Sequence, residues 1–216
     1  DLSDGLSQSS ITSILQDDKG FMWFGTLDGL NKYDGYQIKV YRHNSREKYS
    51  IPENAINVIY QSSEQDIWVG LKTKGICKYN ITADRFYLMD GDPQTNLNVM
   101  AITEDEDRQI WMGTNKGLFK NVIDNPINIQ NKLSQFYIND LASYESEIWM
   151  ATNNGLWKYD INVNAYEQID IAISRIDNNV KINKLFIDSN GLLWIGTDNG
   201  LIRYDLTTGF KTAYFH

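Results

Sequence analysis

A chain of 216 residues with 42% hydrophobic and 22% charged residues can bury a sizeable core and has an ordinary globular balance, which excludes disorder, collagen and coiled coil. Its 28 acidic against 20 basic residues give a formal charge of -8, which repels a phosphate backbone and excludes an electrostatic nucleic-acid binder. The single cysteine, Cys77, has no internal disulfide partner, and no 18-residue apolar run or charged-then-apolar leader is present, so neither a membrane span nor an uncleaved signal peptide is expected.

Along the chain, one unit recurs. Five segments begin at Trp23 (WFGTLDGLNKY), Trp68 (WVGLKTKGICKY), Trp111 (WMGTNKGLFK), Trp149 (WMATNNGLWKY) and Trp194 (WIGTDNGLIRY), with the tryptophans 45, 43, 38 and 45 residues apart. Each follows a short apolar run and a polar turn, as in ITSILQDDKGFMW and INKLFIDSNGLLW. Runs of β-branched and aromatic residues bounded by Asp, Asn, Gly and Ser predict four strands per unit. In the first unit these are strand a near 10–16, b near 21–26, c near 29–34 and d near 36–42. The b-to-c connections hold Asp28-Gly29, Lys116-Gly117, Asn154-Gly155 and Asn199-Gly200, suited to tight hairpins. One extra residue before Gly75 predicts a looser turn in the second unit. A repeated four-stranded antiparallel sheet is the blade of a β-propeller. The expectation is an all-β single domain over 1–216, with five blades at approximately 1–45, 46–92, 93–132, 133–175 and 176–216. Each repeated tryptophan is expected to wedge between adjacent sheets.

The unit I-x-x-I-x-x-D-x-x-G-x-x-W-x-G-T-x-x-G-L-x-[KR]-Y-D resembles the two-component regulator propeller repeat of periplasmic sensors in hybrid two-component systems. Residues Gly5 to Tyr36 are similar to a first blade in such a sensor, and the following YRHNSREKYSIPENAINVIYQ to its link into blade two. Leu71 in place of Thr, Ala151 in place of Gly and Asn121 in place of Tyr depart from the pattern. The resemblance implies two seven-bladed propellers in a whole sensor, followed by a β-sandwich, a membrane helix, a kinase, a receiver and a DNA-binding domain. The chain would then be part of a seven-bladed ring, with phosphotransfer elsewhere. Its ends would either close as a five-bladed ring or self-associate.

In a propeller the d-to-a and b-to-c loops share the face at the mouth of the channel, where a ligand is expected. Turn residues there that can hydrogen-bond sugar hydroxyls are Asp28, Lys72, Lys74, Asn115, Lys116, Asn153, Asn154, Asp198 and Asn199. The longest polar connection, Arg42 to Asn54, adds His43, Arg46 and Tyr49, chemistry suited to a carbohydrate with an acidic group. All of these types also form turns for backbone reasons alone. Lys32, Lys78, Lys120, Lys158 and Arg203 occupy one slot in all five units and are expected to lie over aromatic rings or pair with carboxylates. Cys77 reads as an inert, half-buried thiol. The acidic turns at Asp17-Asp18 and Glu104 to Asp107 lack the ligand spacing of a calcium loop, so no metal and no cofactor is expected. Glu145, Glu147 and Asp188 are placed in a-to-b turns opposite the mouth.

These readings converge on a periplasmic ligand-sensing domain without catalytic residues. It would bind an oligosaccharide, with the parent receptor a homodimer anchored in the inner membrane and passing the signal to a kinase that controls transcription. The alternatives are a propeller-fold glycosidase or lyase, for which only His43 and His216 offer imidazole, and a protein-binding scaffold.

Overall fold

The computed structural model describes residues 5–89, 96–122, 125–128 and 136–215, with backbone only at 121–122 and 125–128. The boundaries expected at 92–93 and 132–133, the Asn121 side chain and His216 lie outside the described residues. Five separate four-stranded antiparallel sheets follow one another in the chain. The first is β1 (Ile11–Gln16), β2 (Met22–Thr26), β3 (Gly29–Tyr33) and β4 (Ile38–Tyr41). The second is β5 (Ile56–Gln61), β6 (Ile67–Leu71), β7 (Ile76–Asn80) and β8 (Arg85–Leu88). The third comprises β9 (Val99–Glu104), β10 (Ile110–Thr114), β11 (Gly117–Val122) and β12 (Asn125–Asn128). The fourth has β13 (Ile138–Tyr144), β14 (Glu147–Thr152), β15 (Gly155–Asp160) and β16 (Ala165–Ile169). The fifth closes the series with β17 (Ile182–Ile187), β18 (Leu192–Thr197), β19 (Gly200–Asp205) and β20 (Lys211–Tyr214). The chain is therefore an all-β propeller of five blades, whose first strands β1, β5, β9, β13 and β17 pack on one another and lie innermost. No described helix is long and apolar enough to cross a membrane.

The motif W-x-G-T has a physical job for each letter. Trp23, Trp68, Trp111 and Trp149 are between 0% and 6% exposed and each sits in a separate apolar layer between its own sheet and the next. Their rings meet tyrosines of the following blade: Trp23 on Tyr79 at 5.2 Å, Trp111 on Tyr159 at 5.5 Å, Trp149 on Tyr204 at 6.0 Å. The glycine lets the next blade come close. A Cβ at Gly25 would lie 2.8 Å from Ile56 Cγ2, one at Gly70 2.9 Å from Val99 Cγ1, and one at Gly113 2.6 Å from Ile138 Cγ2. The threonine clasps the hairpin: Thr26, Thr114, Thr152 and Thr197 donate to the carbonyls of Gly29, Gly117, Gly155 and Gly200 at 2.7–2.9 Å. Where Leu71 replaces threonine, the longer turn is held from outside, with Glu53 accepting from Thr73 N at 2.8 Å and Lys74 N at 3.2 Å.

The aspartate six residues before the tryptophan does two things at once. Asp17 Oδ2 accepts from the Trp23 indole at 2.8 Å, while Oδ1 accepts from Lys19 N and Phe21 N and so fixes the turn. Asp105 and Asp188 repeat the bond to Trp111 at 2.7 Å and to Trp194 at 2.9 Å. The Trp194 indole bond, followed by backbone donors, holds the Asp188 carboxyl below its ordinary range. Ser62 stands in this place in blade two and, across a turn one residue shorter, Tyr144 does in blade four, and there the buried Trp68 and Trp149 Nε1 atoms find no protein acceptor among the described residues. The recurring cations are the tryptophans' cross-strand partners, as in Trp23↔Lys32 and Trp111↔Lys120. Lys32, Lys78, Lys120 and Lys158 lie 5.1–5.6 Å from the indole centroids. Lys78 also pairs with Asp66, and Lys158 with Glu147 at 2.7 Å and Glu167 at 3.3 Å. Burial works to lower the Lys158 pKa, but the two carboxylates outweigh it and raise it. Glu147 thus lies in strand β14 as a pairing partner rather than in a turn.

Three more expectations need correction. Cys77 is fully buried rather than half-buried, and burial pushes its thiol well above the ordinary range. Of the two alternatives for the ends, closure as a five-bladed ring or self-association, the described blades do not form the closed ring. Leu30, Ile76, Leu118 and Leu156 are at most 1% exposed beneath the next sheet, whereas their counterpart Leu201 is 37% exposed. On the first blade Ile14 is 60% exposed, while Ile59, Ile102, Leu141 and Leu185 are 5–9%. Trp194 is accordingly the exception to the wedge and stacks at 6.2 Å on Tyr214 of its own blade.

Replacing Trp111 by Ala empties a closed inter-sheet layer and should cost about 3–5 kcal/mol in denaturant melts. Asp105→Ala strands the Trp111 indole and the Gln109 amide without an acceptor and should cost about 1–3 kcal/mol. Unchanged midpoints for both variants would remove the wedge as the source of stability.

Candidate functional site

The turns expected at the mouth do share one face. The b-to-c turns dock by backbone bonds on the segments that lead into the next first strand: Gly29 N to Asn54 O at 2.8 Å, Lys72 N to Ala55 O at 3.1 Å, Gly155 N to Val180 O at 3.1 Å. Most of the candidate residues there hold turns, four through the side chain and two through the backbone. Asp28 pairs with Arg42 at 3.0 Å, Asn115 Oδ1 accepts from Asn98 N at 3.0 Å, Asn153 Oδ1 accepts from Asn139, and Asp198 Oδ1 from Asn183. Asn154 and Asn199 donate their backbone N–H to the threonine clasp. Lys72 and Lys116 are exposed on their turns. These residues are spread over all five blades.

The Arg42–Asn54 connection is different, because it is stiff and stands over clefts. His43 N donates to Asn54 Oδ1 at 2.6 Å, the His43 ring bonds the Ile51 carbonyl through Nδ1 at 2.9 Å, and Ser50 Oγ ties the Asn44 amide and carbonyl. The loop is stitched to β8 by Phe86 N donating to Tyr49 O at 3.0 Å. His43 is therefore a loop fastener whose ring contributes a wall of a small cleft of about 260 Å³ shared with Lys74 and Phe86. On the other side of the loop, Tyr49 forms part of a larger cleft of about 510 Å³ between the outer strands of blades one and two. Arg46 is exposed and lines neither cleft.

At the edge of the larger cleft the two blades are joined by a polar cluster. Tyr41 and Tyr79 donate to Asp84 Oδ1 at 2.9 Å and 2.7 Å, their hydroxyls lie 3.0 Å apart, and Lys39 pairs with Asp84 Oδ2. Burial works to raise the Asp84 pKa, but the bonds from Lys39, Tyr79 and Tyr41 prevail and lower it. Burial first, then the Tyr79 hydroxyl and Asp84, push Tyr41 far up; burial and Asp84, against the lowering bond to Tyr41, push Tyr79 up to about 12. Around this cluster stand Lys48 and Arg85, close to the Tyr49 ring, and Tyr49 itself lies 5.5 Å from Tyr87. The sequence reading missed Lys48, Asp84, Arg85 and Tyr87, of which Lys48, Arg85 and Tyr87 carry no turn or repeat signature. Asp84 could have been found by matching it to Asn164, which holds the same turn at φ 55° against 53° and accepts from Tyr159.

A second row was also missed. In every blade the second residue of the first strand is unpaired at a β-bulge: Thr12, Asn57, Met100, Asn139 and Asn183. Thr12, Asn57 and Asn139 use the freed direction to donate to Ile56 O, Val99 O and Ile182 O of the next blade. This innermost ring is thus a row of inter-blade fasteners. Among the described residues no cluster of three or more His, Cys, Asp or Glu has the geometry to hold a metal ion.

The Asp84 cluster predicts a pH dependence. A carboxylate whose folded pKa is lowered contributes stability in full above its unfolded value near 3.8 and loses it as pH falls through the lowered folded value. Asp84→Asn, which keeps the turn as Asn164 does, should lose less stability than the parent chain below about pH 4. Parallel acid curves in denaturant melts would show that Asp84 carries none of this dependence.

Comparison with known proteins places this geometry in context. Residues 5–28, 93–116 and 176–199, about a third of the chain, match the two component regulator propeller family. A 48-residue stretch is 56% identical to histidine kinase P4 of Formosa agariphila, covering 22% of this chain and 4% of that protein. Among solved structures, the extracellular domain of a hybrid two-component system of B. thetaiotaomicron superposes with TM-score 0.81 at 24% identity, over 100% of this chain and 31% of that one. Virginiamycin B lyase from Staphylococcus aureus superposes with TM-score 0.73 at 14% identity, over 96% of this chain and 70% of the lyase. Both structural likenesses are of fold alone, and the chain spans about a third of the length of the hybrid-system domain. The wedge, the close-approach glycine and the threonine clasp thus recur in a chain that carries three stretches similar to the two component regulator propeller family.

Proposed function

We propose that the chain is part of the extracytoplasmic ligand-recognition region of a hybrid two-component receptor, and that it binds an oligosaccharide on the face carrying the Arg42–Asn54 loop. The observation that carries this reading is a rigid loop over two clefts on a scaffold with stretches similar to two-component regulator repeats. The same arrangement favours binding over bond making. The His43 ring is occupied by a backbone carbonyl, and Asp84 serves to join two blades rather than to face a second free carboxylate. Ligand binding would act by population shift: occupancy favours one arrangement of a dimeric, membrane-anchored receptor and so biases a kinase in the same parent protein.

Isothermal titration of the 216-residue chain against a panel of neutral and charged oligosaccharides tests this. Saturable binding of one glycan class, with no new reducing ends released, is the expected result. Release of reducing ends would replace the receptor reading with an enzymatic one, and no heat from any member of the panel would overturn glycan recognition by this chain.

A further inference from the structure

We infer that the 510 Å³ cleft between the outer strands of blades one and two binds an anionic sugar unit, seated on Tyr49, with Tyr87 next to that ring, and neutralised by Lys48 and Arg85. The inference rests on the receptor reading and deepens it by naming the ligand's charge and its place. It begins from how the cations of this cleft are used. Lys39 is committed to Asp84 and Arg42 to Asp28. Lys48 and Arg85 have no carboxylate within 4.0 Å among the described residues. They sit instead 5.3 Å and 4.6 Å from the centroid of one ring, Tyr49. In a chain with formal charge -8, two unpaired cations converging on one tyrosine form a local reversal of sign. The planar guanidinium of Arg85 suits a carboxylate or a sulfate ester equally, because both present two oxygens in its fork.

The aromatic part supplies the second half of the recognition. Tyr87 is 37% exposed and lies 5.5 Å from Tyr49, so the pair offers a partly wetted apolar face of the kind on which the C–H side of a pyranose rests. The site is preorganised. Tyr49 is held by its carbonyl bond to Phe86 N, and the strand that carries Arg85 and Tyr87 is paired with β7 through Lys78↔Tyr87 and Asn80↔Arg85. Of the two carboxylates that line the cleft, Asp84 is neutralised by Lys39 and two tyrosine hydroxyls and Glu47 accepts from Asn44 Nδ2, so Lys48 and Arg85 together still leave an excess of positive charge.

The test titrates the 216-residue chain with tetragalacturonate, with its carboxyl-reduced neutral counterpart, and with a sulfated neutral tetrasaccharide. Lys48→Ala and Arg85→Ala are exposed substitutions that leave the fold intact, and Arg108→Ala on blade three is the control. The expected result is that at least one anionic probe binds ten-fold or more tighter than the neutral one. That preference should fall ten-fold in Arg85→Ala, fall less in Lys48→Ala, shrink with added salt and persist in Arg108→Ala. Preference for the carboxylate or for the sulfate ester then identifies the source of the charge. Equal binding of all three probes, or anionic binding indifferent to Lys48 and Arg85, overturns this site while leaving glycan recognition standing. Binding of none of the three overturns the site, and the wider panel above then decides the receptor reading separately.

Discussion

The structure depends on one contact repeated around the stack: an indole ring pressed between two sheets. Each of Trp23, Trp68, Trp111 and Trp149 removes a large apolar surface from water, in a position that only a neighbouring blade can close. A single four-stranded sheet of this composition has two faces to bury and cannot do so alone. The flanking glycines follow from the same constraint, because a side chain at Gly25, Gly70 or Gly113 would collide with the isoleucine or valine that completes the layer. The cross-strand lysines follow as well. They cover the outward side of the indole with a flexible stem and keep their charge in water or on a carboxylate.

The wedge fixes where recognition can happen. Since strand packing uses both faces of each interior blade, polar chemistry is pushed to the turns, to the bulged inner row and to the outer seams between blades. The turns are largely occupied by their own bonds, and the inner row fastens neighbours through Thr12, Asn57 and Asn139. The outer seam between the first two blades is where the long Arg42–Asn54 loop crosses over, and there the cleft opens. That stiff loop at one seam of a stack of sheets is the feature on which the proposed receptor reading rests.

Much of the fold was legible in the sequence because each blade writes the same physical requirement in the same letters. The first-blade strands fell within two residues of their expected ends, and the looser turn before Gly75 was visible as one extra residue. What was not legible depends on partners far apart in the chain. Tyr49, Arg85 and Tyr87 meet only because the first two blades sit side by side, so no local spacing announces them. The double role of Asp17, Asp105 and Asp188 was hidden by its resemblance to an ordinary acidic turn, although the constant interval to the tryptophan carried the signal. His43 looked like chemistry and proved to be a fastener, because an imidazole opposite a backbone carbonyl in a tight loop serves the backbone first.

The most direct measurement of the central contact is solvent exchange of the indole N–H protons, followed by nuclear magnetic resonance. Trp23, Trp111 and Trp194 all donate to an aspartate, but only the first two lie beneath a following sheet. Protection of Trp23 and Trp111 far beyond that of Trp194 is the predicted result, since burial between sheets and not the hydrogen bond sets the barrier. Equal exchange at all three positions would contradict the account.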